Sequence, residues 1–239
     1  RCLSRGLGDV YKRQLEEATT LQLKSPFNYS ENACLYVPMD MPEPNTEIFN
    51  LTLIKKVFPL ILAAKGRTFI LSTSIKSMNE ITSFLKDEFE KNNIELPILT
   101  QGTVPKNMLL EQFKSHGNAI LVGSLSFWEG IDVRGSSLSL VIIDKLPFQS
   151  PGDPVFESKI NMLKTKGGNP FMSLQLPQAI ITLKQGAGRL IRDEFDKGVL
   201  MICDLRIINK PYGKRIWRSL PEFKRTRDEN EVIDFLKRL

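Results

Sequence analysis

Eight residues towards the C-terminal side of the chain, Gln185-Gly186-Ala187-Gly188-Arg189-Leu190-Ile191-Arg192, bring two guanidinium groups, a carboxamide and two glycines together. A guanidinium is a planar fork that stays charged at any working pH. It matches phosphate oxygens and can stabilise charge developing on a transferring γ-phosphoryl group. Gln185, Arg189 and Arg192 are spaced at +4 and +7, so a continuing helix would carry them on one face. Leu176, Ile180, Leu183, Ala187 and Leu190 form the opposite, apolar stripe at steps of three and four. Each glycine inside such a helix costs on the order of 1 kcal/mol relative to alanine, which points to a ligand or neighbouring domain that approaches the backbone closely. A basic helix face with a glycine-loosened turn has the same pattern, and the spacing alone does not separate the two.

A second chemical segment is Gly123-Ser124-Leu125-Ser126-Phe127-Trp128-Glu129-Gly130-Ile131-Asp132. It follows an apolar run, and a strand that enters a Gly/Ser-rich loop offers backbone N–H groups and hydroxyls to phosphates. Glu129 and Asp132 bracket a glycine there and could accept from a ribose hydroxyl or hold an arginine. Phe127 and Trp128 could stack on a base, but burial in the core is the commoner fate of such rings. A third segment, Ser72-Thr73-Ser74, follows another apolar run.

The elements that must position these segments are legible as alternating patterns. Thr68–Leu71, Leu96–Leu99, Ala119–Val122, Leu140–Ile143 and Val199–Ile202 are predicted strands. Lys76–Asn92, Lys106–Ser115, Asp153–Thr165 and Ser173–Ile191 are predicted helices. Apolar strands separated by helices imply an α/β fold, a parallel sheet covered on both faces. Chemistry should then collect in the loops that follow the strands, of which Ser72–Ser77, Gly123–Gly135 and Asp144–Gly152 are informative. Ser25–Asn50 carries Pro26, Pro38, Pro42 and Pro44 and reads as an extended strap. Val57–Ala64, with Pro59 inside it, reads as a packed helix.

Of the 239 residues, 41% are apolar and 25% charged, the balance of a globular protein. No apolar run approaches the ~20 residues of a membrane-spanning helix, so no membrane partner is expected. Cys2, Cys34 and Cys203 are too far apart for a zinc or disulfide framework, which suggests a reducing, cytoplasmic setting. An iron–sulfur cluster normally takes four cysteines, so none is expected in this chain. The formal net charge is +6, but residues 1–14 supply Arg1, Arg5, Lys12 and Arg13 against Asp9 and read as a non-native leader. Arg206–Leu239 holds ten Lys or Arg against five Asp or Glu, a charge suited to a phosphate backbone or to a solvated surface. His116 is the only histidine, and no Ser-His-Asp set can be assembled around it.

GSLSFWEGIDVRG resembles helicase motif V, and QGAGRLIR resembles motif VI, of the DinG/YoaA-type, XPD-like superfamily 2 DNA helicases. SPFNY, KLPFQSPGDPVFESKI, NPFMSLQLPQAIITLKQ and DLRIINKPYGKRIWRSLP are similar to that family in the same order, over about Ser25 to Pro221. The resemblance implies a RecA-like parallel sheet with helices on both faces. No Gly-x-x-x-x-Gly-Lys-Ser/Thr occurs, so the fold would lack its own P-loop. It also implies residues 15–66 as strap and helix, 67–221 as the helicase C-terminal RecA-like domain and 222–239 as a basic C-terminal helix or tail.

By the same resemblance, Arg189 and Arg192 are the catalytic arginines, with Arg192 the preferred finger. Gln185, Gly188, Glu129, Gly130 and Asp132 face ATP, and Thr73, Ser74, Ser124 and Ser126 face single-stranded DNA. Ser72 and Ile75 depart from the family's usual residues beside that contact. The expected partners are single-stranded DNA and an N-terminal RecA-like domain of the same protein. That domain would bring the Mg2+ ligands and could bring an iron–sulfur insertion. The function implied is the second motor domain of an ATP-dependent DNA helicase in repair or replication, inactive alone. The alternatives are a non-catalytic nucleic-acid-binding module and the motor of a helicase-like nuclease. Asp193-Glu194 imitates a magnesium-binding acidic pair but reads as surface charge on a helix.

Overall fold

A computed structural model describes residues 27–124, 127, 137–149 and 152–239. The first helical turn, α1 (Tyr29–Asn32), leads into β1 (Ala33–Tyr36). There follow α2 (Phe49–Ala63), β2 (Thr68–Ser72), α3 (Ile75–Lys91), β3 (Ile98–Thr100), α4 (Lys106–His116), β4 (Ile120–Ser124) and β5 (Leu140–Ile143). The C-terminal part comprises α5 (Pro154–Thr165), a π-helical turn (Phe171–Gln175), α6 (Leu176–Ala187) and β6 (Gly198–Ile202). It closes with α7 (Arg206–Asn209), α8 (Gly213–Ser219), β7 (Lys224–Thr226) and α9 (Glu229–Lys237).

The seven strands form one sheet in the order β3-β4-β2-β5-β6-β1-β7, and every pairing is parallel. Side chains alternate across a strand, so successive residues feed two different cores. Leu35, Phe69, Leu71, Val141, Ile143 and Leu200 meet α4 and α6 through Phe113, Leu176, Leu183 and Ala187 on one face. Tyr36, Ile70, Ile120, Ile142, Val199 and Met201 meet α2, α3 and α9 through Leu53, Ile54, Leu85 and Val232 on the other. A sheet buried on both sides explains why its strands read as unbroken apolar runs rather than alternating ones.

Two strands differ from the sequence-based expectation. Ala33–Tyr36, read as part of an extended strap, is an interior strand between β6 and β7, with Ala33 opposite Gly198 and Cys34 opposite Lys224. Lys224–Thr226, read as part of a basic tail, is the edge strand beside it. Four and three residues are too few to show a period, and both strands pair with partners remote in sequence. Exposed Lys224 and Arg225 suit an unpaired edge, where charge discourages association with another chain. The sheet therefore draws strands from all three of the sequence segments 15–66, 67–221 and 222–239.

Helix boundaries follow local chemistry. Ser74 caps α3 by accepting from Ser77 N at 3.1 Å. Asp153 caps α5 by accepting from Val155 N and Phe156 N. Helix α4 ends on Gly117 at φ 67°, a left-handed conformation that a side chain would strain.

Candidate functional site

The arginine segment does not continue as a helix. Helix α6 ends at Ala187, and Arg189 N and Leu190 N turn back to Gly186 O and Ala187 O at 3.1 and 3.2 Å, three-residue steps that tighten the chain into a turn. The expected common helical face of Gln185, Arg189 and Arg192 is therefore not formed. Gln185 is exposed on the last turn of α6, while Arg189 and Arg192 are half-buried beyond its end. The physical reason is burial. Leu190 and Ile191 are both 2% exposed, and sinking both into the core takes the chain off the helix axis.

Two side chains fix this turn. Asp196, 8% exposed, accepts Arg192 N and Asp193 N, each at 2.9 Å. Asn32, at the end of α1, donates from Nδ2 to the Glu194 carbonyl at 2.9 Å. Asp193 and Glu194 are exposed, as expected, but they lie in the turn rather than on a helix. Next to the turn is an open cleft of about 380 Å³ lined by Phe27, Tyr29, Gly188, Ile191 and Arg192. Tyr29 is held edge-on to Phe223 at 5.4 Å, so the wall opposite Arg192 is anchored in the core.

This turn lies at the amino edge of the sheet. A Cβ on Gly198, the first residue of β6, would stand 2.5 Å from Ser139 O, just before β5, and 2.6 Å from Leu190 Cδ1. Only glycine allows Leu190 to press so closely on the start of two strands. The arginines thus precede β6 and lie apart from the loops that follow strands.

The hydroxyl cluster does occupy the carboxyl edge. Ser72 is opposite Ser124 in the β2–β4 register, so Thr73, Ser74 and Ser124 are neighbours. Their hydroxyls already have work within the protein. Thr73 donates through N and Oγ1 to Asp144 at 2.9 and 3.3 Å. Ser124 donates through N and Oγ to Gln101 Oε1 at 2.7 and 2.9 Å. Ser74 is exposed, and because it accepts from Ser77, its own O–H can still donate outward.

Two carboxylates to which the sequence assigns no role, one of them opening the informative loop 144–152, organise this edge. Asp144, directly after β5, is fully buried and also accepts from Ser77 Oγ at 2.9 Å and Lys145 N at 2.6 Å. Burial pushes its carboxyl up from 3.8 to about 6, partly offset by the hydrogen bonds from Ser77, Lys145 and Thr73. Asp204, just beyond β6, is also fully buried, takes Leu146 N at 2.8 Å and pairs with Arg206 Nη2 at 2.6 Å. Arg206 lies 5.4 Å from the Phe148 ring. The available sequence signal was an aspartate closing an all-apolar run, Ile142-Ile143-Asp144 and Ile202-Cys203-Asp204.

Phe127 is buried, and its Cβ would stand 2.9 Å from a Cβ on Gly123, so it packs in the core as the sequence suggested. Ser126, Trp128, Glu129, Gly130 and Asp132 lie outside the described residues. Ser124, at the end of β4, and Ser139, just before β5, stand at opposite edges of the sheet. About five residues of strand, roughly 16 Å at ~3.3 Å per residue, separate the two edges. Among the described residues no group of three metal-ligating side chains gathers.

The helicase C-terminal domain family matches residues 57–223. The chain is 48% identical over 222 residues to the ATP-dependent DNA helicase YoaA of Escherichia coli, covering 93% of this chain and 34% of that protein. It is 34% identical over 220 residues to the ATP-dependent helicase DinG of Mycobacterium tuberculosis, covering 92% and 32% respectively. The chain thus spans about a third of the length of these relatives. A solved XPD helicase superposes with a TM-score of 0.63 at 19% identity, over 82% of this chain and 35% of that one, a likeness of fold.

Proposed function

Because the chain belongs to the helicase C-terminal domain family, in its DinG/YoaA branch, we propose that it is the second of two RecA-like motor domains of an ATP-dependent DNA helicase. ATP lies between this domain and an N-terminal RecA-like domain of the same protein. The partner domain supplies the phosphate loop and the Mg2+ ligands, and any iron–sulfur cluster belongs outside this chain. Arg192 is the arginine finger and Arg189 its companion. Gln185 and Gly188 line the nucleotide side with Glu129, Gly130 and Asp132. Thr73, Ser74, Ser124 and Ser126 face single-stranded DNA, and the work is repair or replication in the cytoplasm.

The observation that carries this reading is the pinned turn beyond α6. A finger must reach across a cleft to a phosphoryl group on another domain, which a residue inside a regular, buried helix does poorly. Arg192 stands past the helix end, next to an open cleft, with its backbone N–H fixed by Asp196. A guanidinium carried on a fixed stretch of backbone supplies positive charge where the transferring phosphoryl develops negative charge, with less reorganisation at the moment of reaction. The hydroxyl edge holds the strand at the other end of the same rigid sheet. Closure around ATP at one edge can then alter grip at the other, the two-state coupling that a translocating motor needs.

The test is Arg192→Ala in the full-length protein. Single-strand-stimulated ATPase should fall by about 10³-fold or more, in the range an arginine finger contributes. Affinity for single-stranded DNA should stay within about twofold, because phosphate contacts elsewhere carry it. Unchanged turnover would instead favour a non-catalytic nucleic-acid-binding module.

A further inference from the structure

We propose that Asp144 is the positioning residue of the DNA grip, a buried carboxyl whose protonation sets the charge behind Thr73 and Ser74 while leaving their geometry intact. The proposal rests on the reading of those two residues as DNA-facing. Asp144 is 0% exposed and ties together β2, α3 and β5, because Thr73 N, Thr73 Oγ1, Ser77 Oγ and Lys145 N all converge on its two oxygens. The N–H groups of Thr73 and Lys145 bond Oδ1, whereas the hydroxyls of Thr73 and Ser77 lie at Oδ2.

Counting protons shows why ionisation matters. Ser77 Oγ is 2.9 Å from Asp144 Oδ2 and 3.1 Å from Asn50 Oδ1. Asn50 Nδ2 donates to Glu80 Oε2 at 2.7 Å, which orients the amide and leaves only its oxygen towards Ser77. One hydroxyl has one proton, so an ionised Asp144 and Asn50 compete for it. With the proton on Oδ2, Asp144 donates to Ser77, Ser77 donates to Asn50, and both backbone N–H groups keep their places at Oδ1. The protonated network is satisfied throughout: the backbone cradle at Oδ1 does not change, and Thr73 Oγ1 keeps its long contact at 3.3 Å to the remaining lone pair of Oδ2.

Among the described residues, the titratable and charged groups around Asp144 are few. Lys145 adjoins it, but its ammonium lies 4.9 Å from the Phe49 ring. The Cys203 thiol at the end of β6 is buried and held well above its ordinary range by burial, then by the charges of Asp144 and Asp204. Asp204 is itself paired with Arg206, and Glu80 is reached only through Asn50. Burial raises the Asp144 carboxyl to about 6, so the carboxyl changes charge in a range the folded protein can be studied in. A buried negative charge directly behind a phosphate-facing loop is poorly screened, and losing it should strengthen the grip.

Asparagine at 144 mimics the neutral carboxyl, with Oδ1 accepting the two N–H groups and the amide donating towards Ser77 and, in place of the long contact at 3.3 Å, towards Thr73 Oγ1 as acceptor. The experiment measures binding of a short oligo-dT by the full-length wild-type, Asp144→Asn and Asp144→Ala proteins from about pH 5 to about pH 8, spanning the carboxyl's transition. The expected ratio of wild-type to Asn dissociation constants is several-fold at the alkaline end and approaches one at the acid end. Asp144→Ala should bind about tenfold more weakly throughout, with an unchanged KM for ATP, because the cradle itself is lost. A wild-type-to-Asn ratio that is constant with pH, or a folded Ala variant that binds like wild type, overturns the proposal. If the Ala variant does not fold, the Asn ratio alone decides. A wild-type protein with no oligo-dT binding and no DNA-stimulated ATPase would refute the motor-domain reading rather than this one.

Discussion

Asp196→Ala tests whether the arginine turn is built or incidental. The carboxylate is 8% exposed and accepts two backbone N–H groups at 2.9 Å, one of them from Arg192 itself. A hydrogen bond to a charged acceptor contributes about 1.5–3 kcal/mol, so truncation removes about 3–6 kcal/mol of local ordering. Leu190 and Ile191 remain buried on one side and Asn32 still holds Glu194 on the other, so the fold should survive while the turn between them loosens. At about 1.4 kcal/mol per decade, the population of correctly placed Arg192 falls by about 10²-fold or more. In the full-length protein, kcat for DNA-stimulated ATP hydrolysis should drop by that factor. KM for ATP and single-strand affinity should each change less than about threefold, since neither depends mainly on the finger. Asp196→Asn, which keeps a carbonyl acceptor, should lose only about tenfold, reflecting the weaker neutral hydrogen bond. An Ala variant that melts cooperatively and keeps kcat within about twofold would show that burial of Leu190 and Ile191 orders the turn without the carboxylate.

Three further outcomes are expected. Ser74→Ala should cost about 1 kcal/mol of stability through loss of the α3 cap, and by removing an outward hydroxyl should weaken oligonucleotide binding about threefold. Equal affinity would remove Ser74 from the DNA-facing set. Gly198→Ala should destabilise by about 1–3 kcal/mol in denaturant titrations, because the new methyl meets Ser139 O and Leu190 at 2.5 and 2.6 Å; an unaltered midpoint would contradict that packing. Asp144 holds its proton more tightly folded than unfolded, so its contribution falls as pH rises from about 4 to about 6 and is level above. Asp144→Asn should therefore match wild type in unfolding free energy below about pH 4 and exceed it above about pH 6, by on the order of 3 kcal/mol, as read from denaturant titrations at each pH. A difference independent of pH would count against the buried ionisation.

Much of the sheet was readable because burial on both faces writes strands as short, unbroken apolar runs. Leu140–Ile143 matched its predicted bounds, and the other four predicted strands differed by one or two residues at their ends. Helices α3 and α4 were also readable, since each has a strong stripe or a glycine stop. Residues 173–191 were harder. The stripe Leu176, Leu183, Ala187, Leu190 holds its helical spacing although the last member lies past the helix, in a turn that buries it just the same. Spacing reports which residues go inwards, but a turn and a helix can both send them there. β1 and β7 were missed because a strand of three or four residues is defined by its partners, and Ala33 and Gly198 are joined only in space.

The candidate site divides in the same way. Residue types were legible in the chain: two arginines near glycines, and serines and threonines after apolar runs, suit phosphates wherever they are placed. Their grouping was not. The order of residues along the chain does not say where each group lies, and the crossover from β5 through α6 to β6 sends the arginines to the amino edge and leaves Thr73, Ser74 and Ser124 at the carboxyl edge. Asp144 and Asp196 acquire their roles only from burial and from the N–H groups that converge on them, and an exposed aspartate in either place would spell the same letter. Local chemistry, propensity and patterning are properties of neighbours along the chain and so were determined by the sequence alone. Edge, burial and hydrogen-bond partner depend on residues far apart in sequence and were decided only when the parallel sheet closed.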